Sequence, residues 1–108
     1  MAKDMDSIIQ EMVRRIVEAV HPDKVIVFGS HARGEAGPDS DVDLLIVAPS
    51  DAPSYKRTPP LYDAIRVMGI PKDLIWQTSE EIDEWSNVRS HFLTTAVREG
   101  KVLYERAA

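Results

Sequence analysis

Two short motifs with useful chemistry flank one polar segment of the chain. An apolar stretch ends at Gly29 and Ser30, and a second apolar stretch begins with Asp41 and Asp43. Residues two apart on a strand point to the same face, so the two acids are predicted to lie side by side. Neighbouring carboxylates repel each other, and burying either is costly unless a cation compensates. A hard ion such as Mg²⁺ suits them, because it takes oxygen ligands and commonly combines one or two carboxylates with substrate phosphates.

Each motif by itself has an ordinary alternative. Asp41 and Asp43 can be exposed residues of a polar strand entry, since acids are common there. Gly29 and Ser30 can form a simple turn. A glycine directly after a strand, however, lets backbone N–H groups approach an anion, and a serine hydroxyl adds another donor. Only ten residues separate Ser30 from Asp41, so the two motifs together predict phosphate donors and metal ligands at one end of neighbouring strands.

A third acid, Asp73, stands near the start of a later apolar stretch. Asp73, Ile75 and Gln77 are predicted to share one strand face, which is an awkward composition for a fully exposed surface. Two interpretations stay open, a functional carboxylate or a surface strand entry.

The elements that carry these residues follow from apolar periodicity and from turn signals. Apolar residues at helical spacing predict helices, and short β-branched stretches predict strands. The stretch at 41–47 is apolar on both faces, so a central and covered strand is expected there. Alternating helices and strands place the chain in the α/β or α+β class. The predicted elements are helices over 6–20, from the cap Thr58 to Met68, from the capping box at 78–81 and over 87–99, strands over 24–29, 41–47, 72–77 and 102–104, and a helical turn at 30–33.

Composition excludes several classes of protein. The chain has 108 residues, 44% of them hydrophobic, which predicts one globular domain over 1–108. It contains no cysteine, so disulfides and thiolate metal sites are excluded. The formal net charge is −5 without a basic stripe, which argues against an extended nucleic-acid surface. No apolar stretch is long enough for a membrane span and the N-terminus lacks a signal-peptide core, so a cytoplasmic protein is expected.

Together these motifs resemble the nucleotidyltransferase superfamily typified by DNA polymerase β, and in particular its minimal branch, the MNT proteins. The segment "GSHARGEAGPDSDVD" matches the pattern of Gly-Ser, ten residues and Asp-x-Asp. The flanking "VIVFGS", "SDVDLLIV" and "REGKVLYE" are similar to that branch as well, so the resemblance covers nearly the whole chain.

The resemblance implies a small mixed sheet flanked by helices and a Mg²⁺-dependent transfer from a nucleoside triphosphate. It implies that Gly29 and Ser30 contact phosphates and that Asp41 and Asp43 bind magnesium, with Asp73 as the third carboxylate, acting as a ligand or as the general base. Two magnesium ions and ATP are the implied cofactor and substrate. Arg33 occupies a position where the family often has a basic residue, and it is expected to contact the triphosphate or to form a salt bridge with Glu35 or Asp39.

The resemblance also implies a partner. Larger relatives carry extra helices that hold the acceptor, and minimal relatives often pair with a helical HEPN toxin. The implied reaction is transfer of AMP to a tyrosine of that toxin, which makes this chain an antitoxin. Two alternatives remain, a non-catalytic module that masks its partner and a small-molecule nucleotidyltransferase such as an antibiotic-modifying enzyme. A homo-oligomer that completes the acceptor site is also compatible.

Five further side chains are assigned to ordinary roles. Lys56 and Arg57 are predicted to lie in a solvated loop rather than at phosphates, and His31 is predicted to be a solvent-facing turn residue. Trp76 and Trp85 are expected to pack under the short fourth helix, with an exposed apolar contact surface as the alternative.

Overall fold

A mixed sheet forms the centre of the computed structural model, which describes residues 5–37, 40–85 and 92–107. Within these residues the sheet has four strands in the order β3-β2-β1-β4, and β1 is antiparallel to both of its neighbours while β2 and β3 are parallel. The parallel β2–β3 pair is connected through a helix, as such crossovers require. The strands are β1 Lys24–Phe28, β2 Val42–Val47, β3 Lys72–Gln77 and β4 Lys101–Glu105.

Helices cover both faces of the sheet. The helices α1 (Met5–Val20) and α3 (Thr58–Ile65) pack on one face. The helices α4 (Ser79–Trp85) and α5 (Phe92–Glu99) lie on the opposite side, where Ile82 of α4 packs against β1 and β2. A single helical turn, α2 (Ser30–Arg33), follows β1 directly. The predicted fold class, a small mixed sheet flanked by helices, is therefore confirmed.

The larger part of the core lies between the sheet and the pair α1 and α3. Its members are mostly aliphatic residues at helical spacing on the helices and at alternate positions on the strands. These two periodicities are why the sequence predicts both the helices and the strands. A smaller cluster on the other face contains Ile26, Leu45 and Val47. Strand β2 contributes to both clusters, which confirms that it is central and covered. The fully buried members of the larger cluster include Met12, Ile16, Leu44, Ile46, Leu61 and Ile65.

Several boundaries differ from the predictions. Thr58 is the first residue of α3 and Arg57 precedes it as the cap, so the predicted cap at Thr58 is wrong by one position. The helix ends at Ile65 and continues as a 3-10 turn to Met68 before Gly69 reverses the chain. The final helix begins within the described residues at Phe92, and its predicted start at 87–91 lies outside them. Among the described helices, none has the length and apolar character needed to cross a membrane.

The prediction of a solvated loop at Arg57 is wrong. The Arg57 side chain is only 7% exposed, whereas Lys56 beside it is exposed and lies over the Tyr55 ring. Arg57 is buried because three acceptors surround its guanidinium, the carbonyl oxygens of Ala52 and Trp76 and the Glu81 carboxylate. Burial of arginine is tolerated when its donors are paired in this way.

Trp76 packs against the larger core cluster, and its indole N–H donates to the Ala48 carbonyl over 2.9 Å. It therefore packs on the α1 and α3 side of the sheet. The prediction that Trp76 packs under α4 is wrong.

Candidate active site

The turn after β1 is built for close approach of the backbone to another group. Gly29 has φ 71° and ψ −150°, a combination that essentially only glycine adopts. A methyl group at this position would also overlap the Oδ2 atom of Asp43. Glycine is therefore required twice, once by the backbone and once by the neighbouring carboxylate. The turn and the acid are in direct contact, as the ten-residue spacing indicated.

Ser30 is the first residue of α2 and is half-buried. The Gly29 carbonyl accepts from the N–H groups of Ala32 and Arg33, at 3.1 and 3.2 Å, which closes the single helical turn. The two preceding N–H groups of the turn, those of Ser30 and His31, have no carbonyl acceptor within α2, and donors in this position commonly bind anions. Together with the Ser30 hydroxyl they form a set of donors suited to phosphate oxygens.

The three predicted acids gather at one end of two parallel strands. Asp43 of β2 is in register with Asp73 of β3, and on its other side Asp43 is in register with Phe28 of β1. Residues in register on neighbouring strands lie on the same face, here the face covered further along by α4. Asp41 is exposed and precedes β2 by one residue. The acids thus lie where β2 and β3 begin and β1 ends.

The electrostatics of Asp43 reflect this crowding. Burial raises the pKa of the Asp43 carboxyl, and the charges of Asp73 and then Asp41 raise it further. The nearby charges of His31 and Arg33 lower the same pKa but do not outweigh these effects. An acid that is half-buried beside two other acids is costly to ionise, and a cation between them would remove that cost.

The donor set fits a hard divalent ion that is completed by its substrate. All three side chains offer oxygen, which Mg²⁺ prefers. Among the described residues, however, no three acidic or imidazole side chains are close enough together to enclose a metal ion. The geometry therefore matches a site in which one or two carboxylates bind the ion and phosphate oxygens supply further ligands.

Arg33 is exposed and pairs with Glu35, with 3.1 Å between Arg33 Nε and Glu35 Oε2. The salt bridge predicted as one alternative is therefore present, and Asp39, the other proposed partner, lies outside the described residues. Both side chains are exposed, so the contribution of this pair to stability is small. Contact of Arg33 with a triphosphate remains a prediction, and such a weak pair does not prevent it.

Two residues near the acids were missed or misassigned from the sequence. His31 is half-buried and not solvent-facing, its Nε2 atom lies 3.5 Å from the Ser40 carbonyl, and its charge acts on Asp43. Phe28 lies on the same sheet face as Asp43 and packs with the apolar cluster behind the acids. The alternating pattern of β1 predicts the face on which Phe28 lies. The half-burial of His31 depends on contacts such as that with Ser40, which no local pattern predicts.

The fold and parts of the sequence match known proteins. A crystal structure from Sulfolobus solfataricus, provisionally assigned as a nucleotidyltransferase, aligns with TM-score 0.69 and 23% identity over 94% of this chain and 81% of that one. A toxin-antitoxin structure with AMP-PNP aligns with TM-score 0.61 and 18% identity, over 90% of this chain and 73% of that one. A mutant of the MntA-HpeT toxin-antitoxin aligns with TM-score 0.58 and 17% identity, over 96% and 75% respectively. At these identities the structural likeness concerns the fold alone.

A comparison with curated protein sequences finds no match. The sequence model of the nucleotidyltransferase domain, in contrast, matches residues 7–98, a range that contains the Gly29 turn, all three acids and three of the four strands. With most of its length matched and its fold shared with nucleotidyltransferase structures, the chain belongs to the nucleotidyltransferase domain family.

Proposed function

We propose that this chain is a Mg²⁺-dependent nucleotidyltransferase that transfers a nucleoside monophosphate, AMP from ATP, to a hydroxyl acceptor. One observation carries the proposal: the Gly29 turn lies against the Asp43 carboxylate, and Asp43 lies in register with Asp73. Phosphate donors and acidic oxygens are thereby adjacent, which is the arrangement that a metal-bound triphosphate needs. Membership of the nucleotidyltransferase domain family supports the reaction class.

Each residue has a defined task in this proposal. Gly29 and Ser30 bind phosphate oxygens through the backbone and the hydroxyl. Asp41, Asp43 and Asp73 would hold magnesium, with one or two of these carboxylates on each ion and phosphate oxygens as further ligands. When bound, magnesium neutralises phosphate charge and favours ionisation of the acceptor hydroxyl. The acceptor oxygen attacks the α-phosphorus, a new P–O bond forms, and the bond to pyrophosphate breaks. Asp73, which is the more exposed acid of the β2–β3 pair, accepts the hydroxyl proton in this scheme.

The proposed acceptor is a tyrosine of a HEPN-type toxin, so that the chain acts in the cytoplasm as an antitoxin. Two structural neighbours are toxin-antitoxin complexes, and one of them contains AMP-PNP. These likenesses support an assembly with a toxin and the use of an adenine nucleotide.

The direct test is transfer of label. The chain is incubated with α-labelled ATP, Mg²⁺ and the product of the neighbouring gene, and the partner is expected to become labelled on tyrosine. The Asp41→Ala/Asp43→Ala double variant should lose this activity by a factor on the order of 100 or more. The matched control is Asp51→Ala/Asp63→Ala, which changes the net charge equally at exposed positions outside the site. Equal labelling by wild type and the site variant would contradict the proposal.

The same variants distinguish a masking role from catalysis. If the Asp41→Ala/Asp43→Ala variant still neutralises the toxin in cells while labelling is lost, binding alone is sufficient and the chain acts as a masking module. If neutralisation is lost while the complex remains intact, transfer is the cause. Label that appears on an added small hydroxyl compound and not on the partner would favour the small-molecule alternative.

A further inference from the structure

Asp73 lies on a strand that the sheet supports on one side only. Strand β3 is at the edge of the described sheet and pairs with β2 alone. The N–H of Val42 donates to the Pro71 carbonyl and that of Ala48 donates to the Gln77 carbonyl. Since parallel ladders use alternate residues, the backbone groups of Lys72, Leu74 and Trp76 are directed to the open side.

Side chains from the α3 region bind this open edge. The Leu74 N–H donates to the Tyr62 hydroxyl at 3.1 Å, and the Trp76 carbonyl accepts from the Arg57 guanidinium at 3.3 Å. Tyr62 lies on α3 and Arg57 caps it, and both are held in place because α3 is anchored in the core by the fully buried Leu61 and Ile65. Tyr62 itself packs partly against the same core cluster.

The hydrogen bond from Leu74 to Tyr62 is made directly beside the acid of β3. Asp43 and Asp73 stand opposite each other on one sheet face, so their carboxylates repel and tend to separate the first residues of β2 and β3. The backbone N–H that Tyr62 binds belongs to Leu74, and it is part of the peptide group that directly follows Asp73. The Tyr62 hydroxyl lies on the side of β3 that faces away from β2, so its bond does not draw the two strands together. It fixes the orientation of this peptide group and thereby the direction of the Asp73 side chain.

We propose that Tyr62 is a positioning residue, which holds Asp73 beside Asp43 by binding the Leu74 N–H. The proposal rests on the proposed function, because the two acids act together only if they hold the metal of the transfer reaction. It goes beyond that function by assigning a residue on the far side of the edge strand, which touches neither nucleotide nor metal. The ordinary alternative is that Tyr62 only closes the open edge of the sheet.

The chain offers a matched control at the other end of the same strand. The Trp76 indole N–H donates to the Ala48 carbonyl at 2.9 Å. Tyr62→Phe and Trp76→Phe each remove one hydrogen bond that ties β3 to its surroundings, and each keeps an aromatic ring. Only the hydrogen bond between Leu74 and Tyr62 lies next to an acid of the site. Both hydrogen bonds contribute to the stability of the protein.

Two measurements separate positioning from simple closure of the edge. Amide hydrogen exchange in Tyr62→Phe is expected to become about tenfold faster at Asp73 and Leu74, because a hydrogen bond of typical strength is lost there. Titration with Mn²⁺ and a non-hydrolysable ATP analogue is expected to show about tenfold weaker metal binding in Tyr62→Phe, a loss typical of removing a residue that orients metal ligands. Trp76→Phe is expected to bind Mn²⁺ like the wild type.

Two results would overturn the assignment. Unchanged exchange at Asp73 and Leu74 in Tyr62→Phe would show that Tyr62 does not hold this part of the strand. Equal weakening of Mn²⁺ binding in both variants would show that general stability is responsible. The variant Asp43→Asn/Asp73→Asn tests the proposed function separately: if it binds Mn²⁺ like the wild type, the metal role fails, and the exchange comparison still decides whether Tyr62 positions Asp73.

Discussion

At the scale of single residues, the site depends on the contact between Gly29 and Asp43. The carboxylate fills the space that a side chain at position 29 would need, and it is half-buried beside two further acids. The second feature lowers the stability of the protein alone, because it brings like charges together. Costs of this kind are typical of functional sites, where a ligand offsets them.

Replacing Gly29 by alanine should destabilise the fold more than the same change at another glycine with positive φ. Gly29→Ala is expected to cost about 2–3 kcal/mol of unfolding free energy, from backbone strain and overlap with Asp43. Gly34 is the control, since its φ is 73° but no atom lies within 4 Å of an added methyl group. Gly34→Ala should cost about 1 kcal/mol. Urea unfolding measures both, and equal losses would contradict the close approach of Asp43.

Asp43→Asn should stabilise the metal-free protein at neutral pH. Because the pKa of Asp43 is raised in the folded state, the folded protein holds this proton more tightly than the unfolded chain does. The resulting contribution to stability is complete below the ordinary value of 3.8 and is lost as the pH rises through the raised pKa. Asparagine does not titrate, so the difference in stability between Asp43→Asn and the wild type should grow, in favour of the variant, as the pH rises across this window. Thermal unfolding from pH 3 to pH 7 tests this, and an advantage that shrinks with rising pH would contradict it.

At the scale of elements, Arg57 connects three segments that are distant in sequence. It binds the loop after β2, the end of β3 and Glu81 of α4, while Glu81 and Thr78 form the reciprocal capping box that the sequence predicted. The capping box can be predicted from local sequence because its two residues are three apart. The burial of Arg57 cannot be predicted in this way, because its partners lie up to 24 residues away.

Arg57→Met should cost about 2–3 kcal/mol at neutral pH, since it leaves Glu81 without its cation. The hydrogen bond from Arg57 lowers the pKa of Glu81, so the stability that the pair provides is present above the ordinary pKa of 4.5 and is lost as the pH falls through the lowered value. The difference between wild type and variant should therefore narrow in acid. Arg66→Met is the control, because Arg66 and Asp63 form an exposed pair, and it should change stability by no more than about 0.5 kcal/mol. Equal effects of the two changes would contradict a buried role for Arg57.

At the scale of the whole molecule, strand order brings the site together. Strand β2 lies between β1, which ends at the Gly29 turn, and β3, which begins with Asp73. The net charge of −5 opposes binding of a free triphosphate, so a divalent ion is expected to accompany the nucleotide in the proposed reaction. Stability of the whole chain should therefore respond to metal and nucleotide together.

Binding of a non-hydrolysable ATP analogue with Mg²⁺ should raise the melting temperature. A ligand at about 100 times its Kd adds roughly 2.7 kcal/mol to the unfolding free energy of a two-state protein. The analogue without Mg²⁺ should give a much smaller shift, and the Asp41→Ala/Asp43→Ala variant should give none. Differential scanning fluorimetry over a concentration series measures the shift, and a shift of equal size without metal would contradict the proposed role of the acids.

The sequence by itself determined the elements and the composition of the candidate site. Apolar periodicity and turn residues are local signals, so the four described strands and the helix α1 were predicted without the structure. The same local signals proposed Gly29, Ser30, Asp41, Asp43 and Asp73 as the site residues. Tertiary structure decided which side chains meet across the chain. The register of Asp43 with Asp73, the burial of Arg57 and the bond from Leu74 to Tyr62 join segments 12 to 30 residues apart. Such contacts depend on how the elements pack, and no local pattern of residues encodes that.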